Sequence, residues 1–289
     1  MKFLDVKTDL AFKKVFGSEE SKELLISFIN ATIYEGCQQQ VTDLTIVDPY
    51  SIPLIRGMKD SYVDVKAMLN DGTQVIIKMQ VLNHQGFEKR ILYNAAKNYS
   101  VQLQKGEDYS LLNPVIALTI VDFVMFDSFD SHISRFHLLE KEHLVEYSDD
   151  IELMFIELPK FNVAFEKLSR ISEQWIYFIK HAGDMDYIPA NFAAPLPQAF
   201  SLIDESSMSA KELEAQHKRK EFIFIQKSSL ALAEEKGREA GLAEGIEQGI
   251  EQGIEQVARR MLESGLTVGQ VAELTGLKAE KLQKLSVSG

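Results

Sequence analysis

Three side chains flank one short turn in the stretch DSYVDVKAMLNDGTQVIIKMQ, namely Asp64, Lys78 and Gln80. A carboxylate, an ammonium and a carboxamide that share one face of a hairpin can neutralise each other or grip a charged ligand. Whether they meet depends on the loop. SYVDVKAML and TQVIIKMQVL alternate apolar and polar residues as half-buried strands do, and NDGT between them is a turn signal. A two-residue Asp71-Gly72 loop would set Asp64 opposite Met79, on the wrong face. A three-residue loop, Asn70-Asp71-Gly72 with Gly72 left-handed, sets Asp64 opposite Lys78 and Tyr62 opposite Gln80. The second register sends Val63, Val65, Ile77, Met79 and Val81 into the core together. It leaves Tyr62, Asp64, Lys66, Lys78 and Gln80 on the other face, where an ordinary cross-strand ion pair is one reading of Lys78.

The rest of the chain must position that hairpin. With 289 residues, 45% of them hydrophobic, there is enough apolar material for one substantial core and an appendage. No run approaches the length of a membrane span and the N-terminus lacks an uninterrupted apolar centre, so a cytoplasmic, non-membrane protein is predicted. The net charge of −12 opposes broad, non-specific phosphate binding but leaves room for a local basic groove. Cys37 is alone and reads as a buried small apolar residue, and His132, His137 and His143 lack metal-ligand spacing on a helix.

Residues 7–33 predict two short helices, with Ala11, Phe12, Val15 and Phe16 on one stripe, a break at Gly17 and a cap at Ser21. The segment VTDLTIVD and the hairpin follow as strands, then an amphipathic helix from about Gln85 to Gln104. PVIALTIVDFVMF, ISRFHLLE and IELMFIELP read as further strands, the first apolar enough to be buried on both faces. A helix over Asn162–Lys180 and a proline-broken connector, NFAAPLPQAF, close the globular part near Ile203.

From about Ser209 the composition turns to that of a long helix. Within it, Gly237, Gly241, Gly245, Gly249 and Gly253 recur every four residues beside Ile246, Ile250 and Ile254. Each interior glycine costs a helix about 1 kcal/mol relative to alanine. A second copy approaching closely along that groove would offset the cost, and a partly helical tether is the alternative. The final segment, with Thr267 and Leu277 opening new helices, has helix-turn-helix spacing and suits self-association better than DNA reading. The domain boundaries read as 1–205, a stalk over 206–256 and a helical module over 257–289.

The motifs DLAFKKVFG, DSYVDVKAMLNDGTQVIIKMQ and RILYNAAKNYSVQLQKGEDYSLLNPVIALTIVDF, with the glycine-repeat tail, together resemble the Rpn family of recombination-promoting nucleases, also described as PD-(D/E)XK nuclease family transposases. The resemblance covers nearly the whole chain. It implies an α/β fold with a restriction-endonuclease-like core, a mixed central sheet flanked by helices, and a C-terminal helical tail. It also implies Mg²⁺- or Mn²⁺-dependent cleavage of double-stranded DNA in recombination, mobile elements or phage defence. A homo-oligomer formed through the tail, and a tail-only product acting as a regulatory partner, go with it.

Carried onto this sequence, the resemblance places the metal-binding aspartate at Asp64, a second acid at position 78 and the family's glutamine at Gln80, with the backbone carbonyl of Met79 as a further metal ligand. The family pattern has glutamate at position 78, and this chain has Lys78. An ammonium there removes an oxygen ligand and repels a divalent ion about 4 Å away by roughly 8 kcal/mol at an effective dielectric near 20. The expectation is a site with weakened metal binding and impaired cleavage, Lys78 pairing with Asp64 where the metal would sit. Two alternatives stay open. Lys78 can swing out as a phosphate-binding cation while Asp64 and Asp60 or Asp9 hold the metal, although Asp9 also reads as a helix cap. The chain can instead be an inactive DNA- or protein-binding module assembled through its C-terminal helices. Arg90 and Lys97, seven apart on the long helix, are the candidate phosphate contacts.

Overall fold

A computed structural model describes residues 1–51 and 61–287. Strand β1 (Leu44–Val47) pairs antiparallel with β4 (Val65–Leu69), which forms the hairpin with β5 (Gln74–Gln80). Strand β6 (Val115–Val121) lies parallel to β5, β8 (Glu146–Glu157) lies parallel to β6, and β7 (Ile133–Leu139) closes the far edge antiparallel to β8. The six-stranded mixed sheet therefore runs β1-β4-β5-β6-β8-β7. Every residue of β6 is buried, as a central strand covered on both faces requires. Two-residue strands β2 (Tyr50–Ser51) and β3 (Ser61–Tyr62) make a separate small sheet.

Helices cover both faces. On one side α1 (Asp9–Phe16), α2 (Lys22–Thr32), α4 (Ile171–His181) and α5 (Leu196–Leu202) build the main core with Val65, Ile77, Met79 and Ile120. Its centre is aromatic: Phe16, Phe28 and Trp175 lie with ring centroids 4.8–5.8 Å apart. On the other side α3 (Phe87–Ser100), the crossover between the parallel strands β5 and β6, lays Phe87, Ile91 and Ala95 against Ala117, Val121 and Phe155. Arg135 of β7 ties the layers together. Its guanidinium donates to Glu152 at 3.0 Å and to the carbonyls of Thr32, at 3.1 Å, and Ile33, where α2 ends.

Several predicted elements differ in the structure. The stretch SYVDVKAML is not one strand: it bends at Val63–Asp64, and Tyr62 pairs with Tyr50 rather than Gln80. Val63 consequently packs on the α3 side with Ile76 and Ala117 instead of joining Val65 in the main core. The helix predicted from Asn162 begins only at Ile171, because the Glu173 carboxylate accepts from the amides of Ser169 and Arg170 and sets the first turn there. The proline-rich connector contains α5, whose first turn accommodates Pro197 since no helical acceptor is needed there. Thr8, not Asp9, is the cap residue of α1. Cys37 is exposed, in the solvent-facing segment after α2.

The chain divides into two units, Met1–Phe224 and Ile225–Gly289, with the 54-residue helix α6 (Ala210–Glu263) running through both. In the first unit, its Gln216 accepts from the Thr8 hydroxyl at 2.7 Å and Glu212 pairs with Lys14 at 2.8 Å. In the second unit, α7 (Val268–Thr275) and α8 (Ala279–Val287) fold with the end of α6 around Ala258, Val271 and Leu282. Thr267 caps α7 through a reciprocal bond pair with Gln270, and left-handed Gly276 ends it. Lys281 of α8 bridges to Glu255 at 2.5 Å and to Glu251 on α6.

Candidate active site

The three-residue loop is present. Leu69 N–H donates to the Thr73 carbonyl at 2.9 Å, and Gly72 has φ of 89°, with no room for a Cβ against the Asn113 side chain. From Val65 paired with Ile77, the ladder places Asp64 opposite Lys78. Continued regularly, it would give the Met79 amide to the Val63 carbonyl. Instead that amide donates to Asp64 Oδ2 at 2.7 Å, while the Asp64 amide donates to the Ile77 carbonyl at 3.0 Å. The aspartate side chain thus replaces a ladder acceptor, which is the local cause of the bend.

The other oxygen, Oδ1, accepts from Lys78 Nζ at 2.7 Å. Burial of a carboxylate is tolerated only when charge-assisted bonds replace its water, and both Asp64 oxygens have one. The partners differ in access: the Asp64 side chain is 6% exposed and that of Lys78 23%. The anion is held inside and the cation stands at the mouth. Gln80 is fixed in the same row, its Nε2 donating to the Leu82 carbonyl at 2.7 Å and its Oε1 accepting from Arg90 Nη2 at 3.0 Å. Arg90, exposed on α3, lies 5.4 Å from the ring centroid of Phe87.

Lys78, Arg90, Asn94, Thr119, Phe87 and Ile91 line a narrow cleft between the sheet and α3. Thr119 and Asn94 escaped the sequence reading. The signal for Thr119 was its standing as the one polar residue in VIALTIV; in the parallel register it lies beside Lys78. Of the remaining candidates, Lys97 is buried whereas Arg90, seven residues earlier on α3, is exposed. Asp9 is placed elsewhere, 3.9 Å from Arg219 of α6. Asp60 lies outside the described residues. Each of Gly237, Gly241, Gly245, Gly249 and Gly253 has open space where a Cβ would project, and Leu242, Ile246 and Ile250 beside them are exposed.

The donor set can be tested against the divalent metal that the sequence leads one to expect. Mg²⁺ or Mn²⁺ asks for an octahedron of oxygens, with at least one or two carboxylates among them. Among the described residues the site offers the Asp64 carboxylate behind Lys78, with both oxygens engaged, and in the cleft lining the cations Lys78 and Arg90. The one described group of three ligand-type side chains close enough to share an ion, Glu140, Glu142 and His143, does not include Asp64. These residues do not fit a divalent ion. The arrangement can instead neutralise a buried carboxylate and present positive charge to an anion.

No curated protein and no solved structure matches the chain significantly. A family profile described as PD-(D/E)XK nuclease family transposase matches residues 6–233, which takes in the whole sheet, its flanking helices and the hairpin bearing Asp64, Lys78 and Gln80. The chain belongs to the PD-(D/E)XK nuclease family transposases.

Proposed function

We propose that this chain is a DNA endonuclease scaffold whose metal position is closed by Lys78, so that it engages double-stranded DNA but cuts it weakly or not at all. Membership of the family supports a nuclease or transposase-associated function with DNA as substrate, and such nucleases generally depend on a divalent metal. Magnesium as that metal, and a setting in recombination or phage defence within the cytoplasm, rest on the resemblance of the motifs. No helix among the described residues is long and apolar enough to cross a membrane.

One observation carries the reading: Lys78 Nζ lies 2.7 Å from Asp64 Oδ1 while the Met79 amide holds Oδ2. An ammonium at that distance occupies the space in which a carboxylate-bound cation would sit, and it brings no lone pair for one. In this reading residues 1–205 carry the cleft, 206–256 form a stalk and 257–289 a small assembly module.

Plasmid nicking in Mg²⁺ or Mn²⁺ tests it, comparing the chain with Lys78→Glu and with Lys78→Glu combined with Asp64→Ala. The reading expects nicking to appear in the single variant and vanish in the double. Nicking by the unaltered chain at the level of Lys78→Glu would end it.

A second reading, an inactive binding module assembled through the tail, is favoured by the exposed Leu242, Ile246 and Ile250 beside the open glycines of α6. Deleting residues 237–256 should then lower the molecular mass measured by light scattering. An unchanged mass would leave the repeat as a tether.

A further inference from the structure

The balance of charge in the cleft bears on how the protein holds DNA, apart from whether it cuts. A site built on two carboxylates is negative when no metal is bound, and it repels a phosphodiester until a divalent ion intervenes. Here, among the described residues, one carboxylate is set against two cations, Lys78 in contact with it and Arg90 in the same lining, which counts to a single net positive charge. The distribution adds to this. Asp64 is the inner, nearly enclosed partner and spends one oxygen on the Met79 amide, whereas the ammonium is the outer partner. Arg90 stands across the mouth on α3 and spends the one described hydrogen bond of its guanidinium on Gln80, in a group with five N–H donors. The Thr119 side chain, in the lining, adds a hydroxyl.

Resting on the proposal that the metal position is closed, we infer that the cleft binds a backbone phosphate of duplex DNA directly, Lys78 and Arg90 supplying the counter-charge, so that DNA binding by this protein needs no divalent cation. Lys78 thereby takes over the metal's electrostatic role in binding. It does not take over its role in activating water, for which an ammonium has no vacant coordination site.

The experiment is fluorescence anisotropy of a labelled DNA duplex with the full chain, in EDTA and in Ca²⁺, across a salt series. The expected result is the same affinity in both media for the unaltered chain and for Lys78→Arg, which keeps the cation. Lys78→Glu, which turns the net charge of the cleft from positive to negative, should bind at least about tenfold more weakly in EDTA and recover in Ca²⁺. Its slope of log affinity against log salt should be shallower by about one. Arg90→Gln, at the surface of α3 and away from the buried carboxylate, should lower the slope similarly without acquiring a Ca²⁺ requirement. It keeps the test decisive if Lys78→Glu fails to fold. A Ca²⁺ requirement in the unaltered chain, or salt slopes unchanged in the variants that fold, would overturn the inference. Those results are separable from the nicking assay, because a chain that cuts nothing can still need metal to bind, and one that binds without metal can still be found to cut.

Discussion

Two lysine–carboxylate pairs sit in the same folded unit, and they differ in how completely the lysine is used. Lys160 donates to Glu157 Oε2 at 2.9 Å, to the Phe129 carbonyl at 2.8 Å and to the Phe126 carbonyl, and it lies 4.6 Å from the Phe129 ring centroid. Glu157, 1% exposed, also accepts from the amides of Met125 and Phe126. All three ammonium protons are spent, and the pair serves to fix the turn after β6 against the end of β8. Lys78, by contrast, has Asp64 as its one protein partner among the described residues and keeps the more open position of the two. Similar chemistry therefore does two jobs: the saturated pair is structural, and the unsaturated one retains capacity for a ligand.

The largest test of this contrast is Lys160→Met, which strands a buried carboxylate and should cost about 3–5 kcal/mol in chemical denaturation. Lys78→Met should cost less, about 1–2 kcal/mol, since it removes one ammonium hydrogen bond where Lys160→Met removes three, and Asp64 is less completely enclosed than Glu157. Equal losses would break the comparison. A third carboxylate sharpens it. Burial alone would push Glu173 up, but the amides of Ser169 and Arg170 and the Arg170 guanidinium outweigh it and hold it down at about 2. Because its folded value lies below the ordinary 4.5, the unfolded chain takes up protons first on acidification. The stability Glu173 contributes is thus fully present above about pH 4.5 and lost as pH falls through about 2. Glu173→Gln should cost about 1–2 kcal/mol at neutral pH and flatten the acid limb of the melting-temperature profile in that window. Smallest is Gly249→Ala. With open space at its Cβ it should raise the helicity of α6 by up to about 1 kcal/mol if the stalk is solvated, and weaken self-association if a second copy packs there.

The hairpin was legible because strand alternation and loop length act together: once Gly72 takes the left-handed position, the pairing of 64 with 78 follows from geometry. The bend at Asp64 was not, because it arises from a side chain capturing the Met79 amide, and no periodicity encodes that substitution. The late start of α4 has the same origin, in the Glu173 carboxylate. Lys97 shows the converse, since a seven-residue spacing groups it with Arg90 although it is buried and Arg90 is exposed. Apolar patterns describe faces well. They miss the places where a polar side chain takes over a backbone role.

The Arg135 clamp has a consequence for how this unit comes apart. One guanidinium holds an edge strand, its neighbouring carboxylate Glu152 and the last carbonyls of α2, so the outer rim of the sheet and the end of that helix cannot fray separately. Amide exchange along β7 and over the final turn of α2 should therefore follow a single opening event. Cutting that one side chain back would split it into two, exposing the segment around Cys37 to proteases well before the sheet is lost.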